Sequence, residues 1–240
     1  MGMPISVEII DEAANEATFK QVFDYFKWVD DTFSTYKTTS EITKVNQGLP
    51  VEQWSPAMKT VLDLCEQTKQ ETKGYFDIKH NGVLDPSGIV KGWAVKNAAG
   101  ILAEQGFYNY YVEAGGDIQV AGQRANGEPW RVGIRNPFKR DEIIKTVVVA
   151  HEGVATSGTA IRGQHIYNPH APNKAINDIV ALTVIGPDIY DADRFATAAF
   201  AMSLGAAPFI ETLPGYEAYM ITKDKTAIFT SGFQNYVERP

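Results

Sequence analysis

The 240-residue sequence is short of cysteine, of positive charge and of long apolar runs, and each shortage excludes a class of protein. Its one cysteine, Cys65, can make neither an internal disulfide nor a cysteine zinc site. The apolar spacing of VLDLCEQT makes that thiol a small core residue. Against 29 Asp and Glu stand 22 Lys and Arg, for a net charge of −7. Such a chain has no basic field for nucleic acid or anionic lipid, so an anionic ligand has to be held locally, by a metal ion or by aimed backbone amides. No apolar run nears the roughly 18 residues of a membrane span. The opening MGMPISVEII lacks the basic region, longer apolar core and cleavage site of a signal peptide and has no lipoprotein leader, so it reads as a first strand and the expected location is cytoplasmic. Also missing are G-x-G-x-x-G, a Walker loop, G-x-S-x-G and H-E-x-x-H, which removes dinucleotide-type hydride transfer, P-loop chemistry and zinc hydrolysis. The four histidines, His80, His151, His165 and His170, have no metal-site spacing on any expected helix.

What is present suits a soluble α+β protein. Hydrophobic residues make up 44% and charged residues 21% of the chain, enough to bury a large core. Phe19, Val22, Phe23, Phe26 and Val29 recur at helical spacing from Asn15 to about Phe33. A second helix is bracketed by Ser55 as N-cap, Pro56 at its first position and Gly74 beyond its end. A third runs from about Ile89 to Gln105 and stops at Gly106. The middle then turns to short β-branched and aromatic runs, NYYVEAG, DIQVAG, WRVGI and KTVVVAHEGVATSG, separated by turn residues, which predicts an antiparallel meander. DIVALTVIG gives one more strand before a helix in DIYDADRFATAAFAMS, and YEAYMITKD with AIFTSG closes as a hairpin. Helices early, strands late and one helix returning between strands is an α+β order, not strict alternation. No repeat or linker divides the chain, so residues 1–240 read as a single domain of two intimately packed halves.

Three stretches could carry chemistry. Asp193 and Thr197 stand at i and i+4, on one helix face and roughly 5 to 6 Å apart at Cβ, so two hard oxygens converge as magnesium requires. The alternative is that Asp193 caps the helix and Thr197 bonds back to a carbonyl. In LDPSGIVKGWAV, Asp85, a Pro-Ser-Gly turn and Lys91-Gly92 open a helix, where amides and a cation suit an anion, although the same residues also make an ordinary turn and a surface charge. In EAGGDIQVAG, Gly115 and Gly116 mark either a close backbone approach or a tight turn. TSG at 156–158 and HIYNP at 165–169 add hydroxyls and His165 in loops beside the strands.

Taken in order, MGM, FSTYKTTSEITKVNQG, GYFDI, DPSGIVKGWAV, VEAGGDIQVAG, ATSG, HIYNP and ADRFAT resemble the ApbE family of FAD:protein FMN transferases over nearly the whole chain. The resemblance implies a duplicated T-fold-type architecture of antiparallel sheets with packed helices, and FAD held between the halves. It makes Asp193, Thr197 and the carbonyl of Gly88 ligands of Mg²⁺. Met1, Tyr36, Tyr75, Phe76, Asp77, Asp85, Lys91 and Tyr167 fall at FAD-contacting positions, and His165 at that of the general base. The implied reaction moves the FMN part of FAD, as substrate, to a threonine of an acceptor flavoprotein bearing Asp-x-x-(Ser/Thr)-Gly-Ala-Thr, with AMP released. Hydrolysis of FAD to FMN and AMP, or storage of FAD without chemistry, are the alternatives. The chain departs from the family pattern at Asn168 and the loop to residue 175, at Lys96 and at Met3.

Overall fold

A seven-stranded antiparallel sheet forms the middle layer of the computed structural model, which describes residues 2–159, 163 and 166–238. Its strands are β1 (Ile5–Ile9), β4 (Tyr110–Ala114), β5 (Asp117–Ala121), β8 (Gly153–Gly158), β9 (Ile179–Gly186), β10 (Glu217–Thr222) and β11 (Ala227–Phe229), in that spatial order. Between β1 and β4 the chain makes α1 (Glu16–Phe33), α2 (Glu41–Asn46), α3 (Pro56–Glu71), a small hairpin of β2 (Lys79–His80) and β3 (Val83–Leu84), and α4 (Ser87–Glu104). Between β9 and β10 lie α5 (Ile189–Ala201) and α6 (Ala206–Glu211). A strand, helices, then a hairpin thus occurs twice, as β1–α1–α4–β4–β5 and as β9–α5–α6–β10–β11, with β8 joining the two. This is the α+β order expected from the sequence.

The meander reading needs one correction. Among the described residues, β6 (Trp130–Asn136) and β7 (Lys139–Val149) pair as strands only with each other and leave the sheet as a ribbon, and β5 pairs instead with β8. The reason is an apolar ribbon face: Trp130, Val132, Ile134, Val147 and Val149 pack on Ile118, Val120, Ile185 and Tyr219 of the sheet. The sheet is therefore covered on both sides. On β9, Ala181 and Ile185 face the ribbon while Leu182 and Val184 face the helices. A strand buried on both faces loses its polar alternation, which explains the unbroken apolar run IVALTVIG.

Local chemistry sets the helix starts. Asn15 accepts from the N–H groups of Ala17 and Thr18, and Ser55 accepts from that of Met58 with Pro56 following it. Asp188 caps α5, its Oδ1 accepting the Asp191 N–H at 3.1 Å. Asp193 is therefore not the cap. It lies one turn further in, on a stretch of helix buried almost all round.

Candidate functional site

α4 and α5 cross closely, and glycine makes the crossing possible. A Cβ on Gly92 would stand 2.7 Å from the Asp193 Cβ and 2.8 Å from the Ile189 carbonyl, so no larger residue fits without moving backbone. Against that bare stretch of α4 lies the Asp193 carboxylate, 2% exposed as a residue, with Oδ2 accepting the Gly92 N–H at 2.8 Å. Helix geometry assigns this N–H to the carbonyl four residues back, that of Gly88, so Asp193 draws on the very donor that answers Gly88. Gly88 sits beside Thr197: a Cβ there would be 3.3 Å from the Thr197 methyl and 3.0 Å from the Phe76 ring. The three expected ligand positions, Gly88, Asp193 and Thr197, thus meet at one place.

Two further charges share it. The Lys91 Nζ lies 3.7 Å from Asp193 Oδ1 and 2.5 Å from Oδ2 of Asp117, a carboxylate with no exposed surface. Sequence reasoning passed over Asp117, although it directly follows Gly115-Gly116. Those glycines form a two-residue turn, with φ of +60° and +95°, between Ala114 and Asp117 of β4 and β5. The tight-turn reading of the pair is the right one, and what the turn delivers is the aspartate after it. Among the described residues, two carboxylates and one ammonium share this buried place. Burial first, then the Asp117 charge, push the Asp193 carboxyl well above the usual carboxylate range, against the pull of Lys91 and the Gly92 N–H.

Asp85, at the mouth of α4, accepts the Ser87 N–H on Oδ1 at 3.0 Å. The helix has no side-chain cap at Pro86. Beside it the segments 73–80 and 166–170 hold one another. Tyr167 donates its hydroxyl to the Asp77 carbonyl at 2.7 Å, and its ring lies 4.2 Å from that of His80. Burial, then the charges of Asp77 and Asp85, push the Tyr167 hydroxyl up to about 12, so it is a donor at neutral pH. Tyr75 meets the edge of His170 at 4.5 Å, and the His170 Nε2 is 3.0 Å from the Lys73 carbonyl. Partial burial works against charge on Asp77, but the Lys69 ammonium at 2.8 Å and the Lys79 N–H at 2.9 Å outweigh it and hold the carboxyl below its ordinary range. Phe76 is buried against Gly88 and joins the two groups. Tyr36 stands apart in the turn after α1, 94% exposed. Met1 and His165 lie outside the described residues. Among the described residues no three His, Cys, Asp or Glu cluster as a metal site, and no helix is long and apolar enough to cross a membrane.

Fold and geometry together define an α+β protein in which two carboxylates and an ammonium are brought together where the start of α4 packs on α5. The chain belongs to the ApbE family, which it matches over residues 1–84 and 79–220. It is 23% identical to the FAD:protein FMN transferase of Klebsiella pneumoniae over 92% of this chain and 81% of that protein. The Escherichia coli K12 protein of the same name is 28% identical over 59% of this chain, a match spanning 43% of that relative's length. Among solved structures, the flavin transferase ApbE from Vibrio cholerae superposes with a TM-score of 0.86 at 23% identity, covering 98% of this chain and 96% of that one. The ApbE protein of Thermotoga maritima gives 0.84 at 21% identity, covering 99% and 96%. Family and fold together support flavin transfer as the activity.

Proposed function

We propose that this protein transfers the FMN part of FAD to a threonine hydroxyl of an acceptor flavoprotein. The hydroxyl oxygen bonds to the FMN-side phosphorus, the bond from that phosphorus to the AMP oxygen breaks, and AMP leaves. The observation that carries the reading is the buried group of Asp193, Asp117 and Lys91 beside Gly88 and Thr197. Its donor set fits Mg²⁺: one carboxylate, one hydroxyl and one backbone carbonyl are hard oxygens, with positions left for water and phosphate. When bound by Asp193, Thr197 and the Gly88 carbonyl, the ion would neutralise charge on the pyrophosphate oxygens. Lys91 and the start of α4 add positive potential for the same oxygens. Tyr75, Phe76 and Tyr167 offer aromatic surface to the flavin or adenine, with Asp77 and Asp85 beside them to fix polar groups. Tyr36 and Met1 complete the FAD contacts assigned by resemblance. His165 takes the proton of the attacking threonine.

The test is mass spectrometry of a peptide carrying Asp-x-x-(Ser/Thr)-Gly-Ala-Thr after incubation with the protein, FAD and Mg²⁺. The expected result is a gain of one FMN on the final threonine, release of AMP, and loss of both with EDTA. Free FMN on an unmodified peptide would replace transfer with hydrolysis, and intact bound FAD would replace it with storage. In the same assay, H165A should keep FAD binding and slow transfer by roughly 10² to 10⁴, the range for losing a general base.

A further inference from the structure

The reaction described above gives Asp117 no task, yet it is fully buried and makes the closest charge contact of the site. Its place is fixed by the sheet. It is the first residue of β5, paired with Ala114 across the glycine turn, and its Oδ1 accepts the Thr156 N–H of β8 at 3.2 Å. Oδ2 faces the Lys91 ammonium at 2.5 Å without forming an aligned hydrogen bond, so the attraction there is one of charge. Asp193 Oδ1, a second carboxylate oxygen near it, is 3.7 Å from the same ammonium. An ammonium between two carboxylates in a poorly solvated place interacts strongly with both, and the nearer one holds it. Were Lys91 to settle on Asp193, it would occupy the carboxylate on which a divalent cation depends.

We propose that Asp117 is a positioning residue that holds the Lys91 ammonium off Asp193 and so keeps Asp193 open to a divalent cation. The proposal rests on the assignment of the cation to Asp193. It differs from a ligand role, because Asp117 acts through Lys91, and from the direct repulsion that the Asp117 charge exerts on Asp193, because this effect requires the lysine to be there.

The experiment is Mn²⁺ binding to the full chain without FAD, read by the electron paramagnetic resonance signal of free Mn²⁺, for wild type, D117N, K91M, D117N/K91M and D193A. D117N is expected to weaken binding roughly tenfold, with K91M strengthening it at least roughly tenfold more in the D117N background than in wild type. D117E, which restores the charge, should recover most of the affinity. Equal effects of K91M in the two backgrounds would mean that the charges merely add, and that outcome overturns the proposal. So would an unchanged D117N, or a D117N/K91M protein no better than D117N, which would make Asp117 itself a ligand. Thermal melts check each variant, and if D117N does not fold, D117S, whose hydroxyl can still meet the Thr156 N–H, takes its place in the cycle. If D193A binds Mn²⁺ as wild type does, the cation assignment fails and the proposal falls with it. If D193A loses the ion while the cycle is additive, only the role of Asp117 fails.

Discussion

The two sides of the candidate site are built by different means. On the charged side, Gly88, Lys91 and Gly92 come from one helix, Asp193 and Thr197 from another, and Asp117 from the first position of a central strand. On the aromatic side, Tyr75, Asp77, Tyr167 and His170 come from segments outside the long helices and the main sheet, tied together by contacts to carbonyls and ring edges. The difference follows from distance dependence. Charges in a buried place gain or lose strongly over an ångström, so they need rigid elements, whereas aromatic surface tolerates adjustment by a loop.

The sharpest test of that contrast is D193A. It removes the only carboxylate assigned to the cation, and transfer should fall on the order of 10³-fold, measured as FMN-peptide formed at saturating FAD. FAD affinity measured without metal should change far less. Equal losses in both would mean that Asp193 serves the general shape of the site.

Next in size is G92A, which removes no charged group and attacks only the approach of the helices. The added methyl meets the Asp193 Cβ at 2.7 Å and the Ile189 carbonyl at 2.8 Å, so the helices must separate. Overpacking of this kind costs about 1 to 3 kcal/mol, read by urea unfolding. A shift of the carboxylate by a fraction of an ångström to one ångström should slow transfer by roughly tenfold to a hundredfold. A stable, fully active G92A would show that the charged side does not depend on the close crossing.

How much of this was legible in the sequence divides along the same line. Asp193 and Thr197 could be paired from numbers alone, because i and i+4 on one helix are neighbours whatever the rest of the chain does. Lys91 and Gly92 were legible as the mouth of a helix. Asp117 was not, because its contact with Lys91 depends on which strand lies beside β5 and how α4 crosses the sheet, and neither is encoded locally. For the same reason the β6–β7 ribbon read as part of one meander: alternation predicts strands, not which sheet they join. Asp193 read as a possible cap in a run of three aspartates, and only the backbone turning extended at Asp188 gives the cap to that residue. The contacts among Tyr75, Tyr167, His80 and His170 join segments some 90 residues apart, beyond any spacing rule.

On the aromatic side the effects should be smaller and should fall on binding. H170A removes the ring that meets Tyr75 edge-on and is held by the Lys73 carbonyl. An aromatic pair of this kind is worth about 1 kcal/mol, so the KM for FAD should rise several-fold with kcat within about twofold. A fall in kcat with KM unchanged would move His170 from support of Tyr75 to the reacting atoms.

The smallest expected effect is that of D77N, and its pH dependence fixes its cause. The Asp77 carboxyl is held below its ordinary value of 3.8 because Lys69 and the Lys79 N–H outweigh partial burial. A carboxylate whose folded value is depressed adds stability that is fully present above its unfolded value and is lost as pH falls through the folded one. Lys69 is 42% exposed, so solvent screens the pair and the contribution at neutral pH should be no more than about 1 kcal/mol. Wild type should therefore exceed D77N by that margin in urea unfolding at neutral pH, and the two should converge below the ordinary carboxylate value. A difference that instead persisted unchanged into acid would belong to the shape of the Asp77 turn, and the loop side of the site would then owe its order to packing, with charge irrelevant to it.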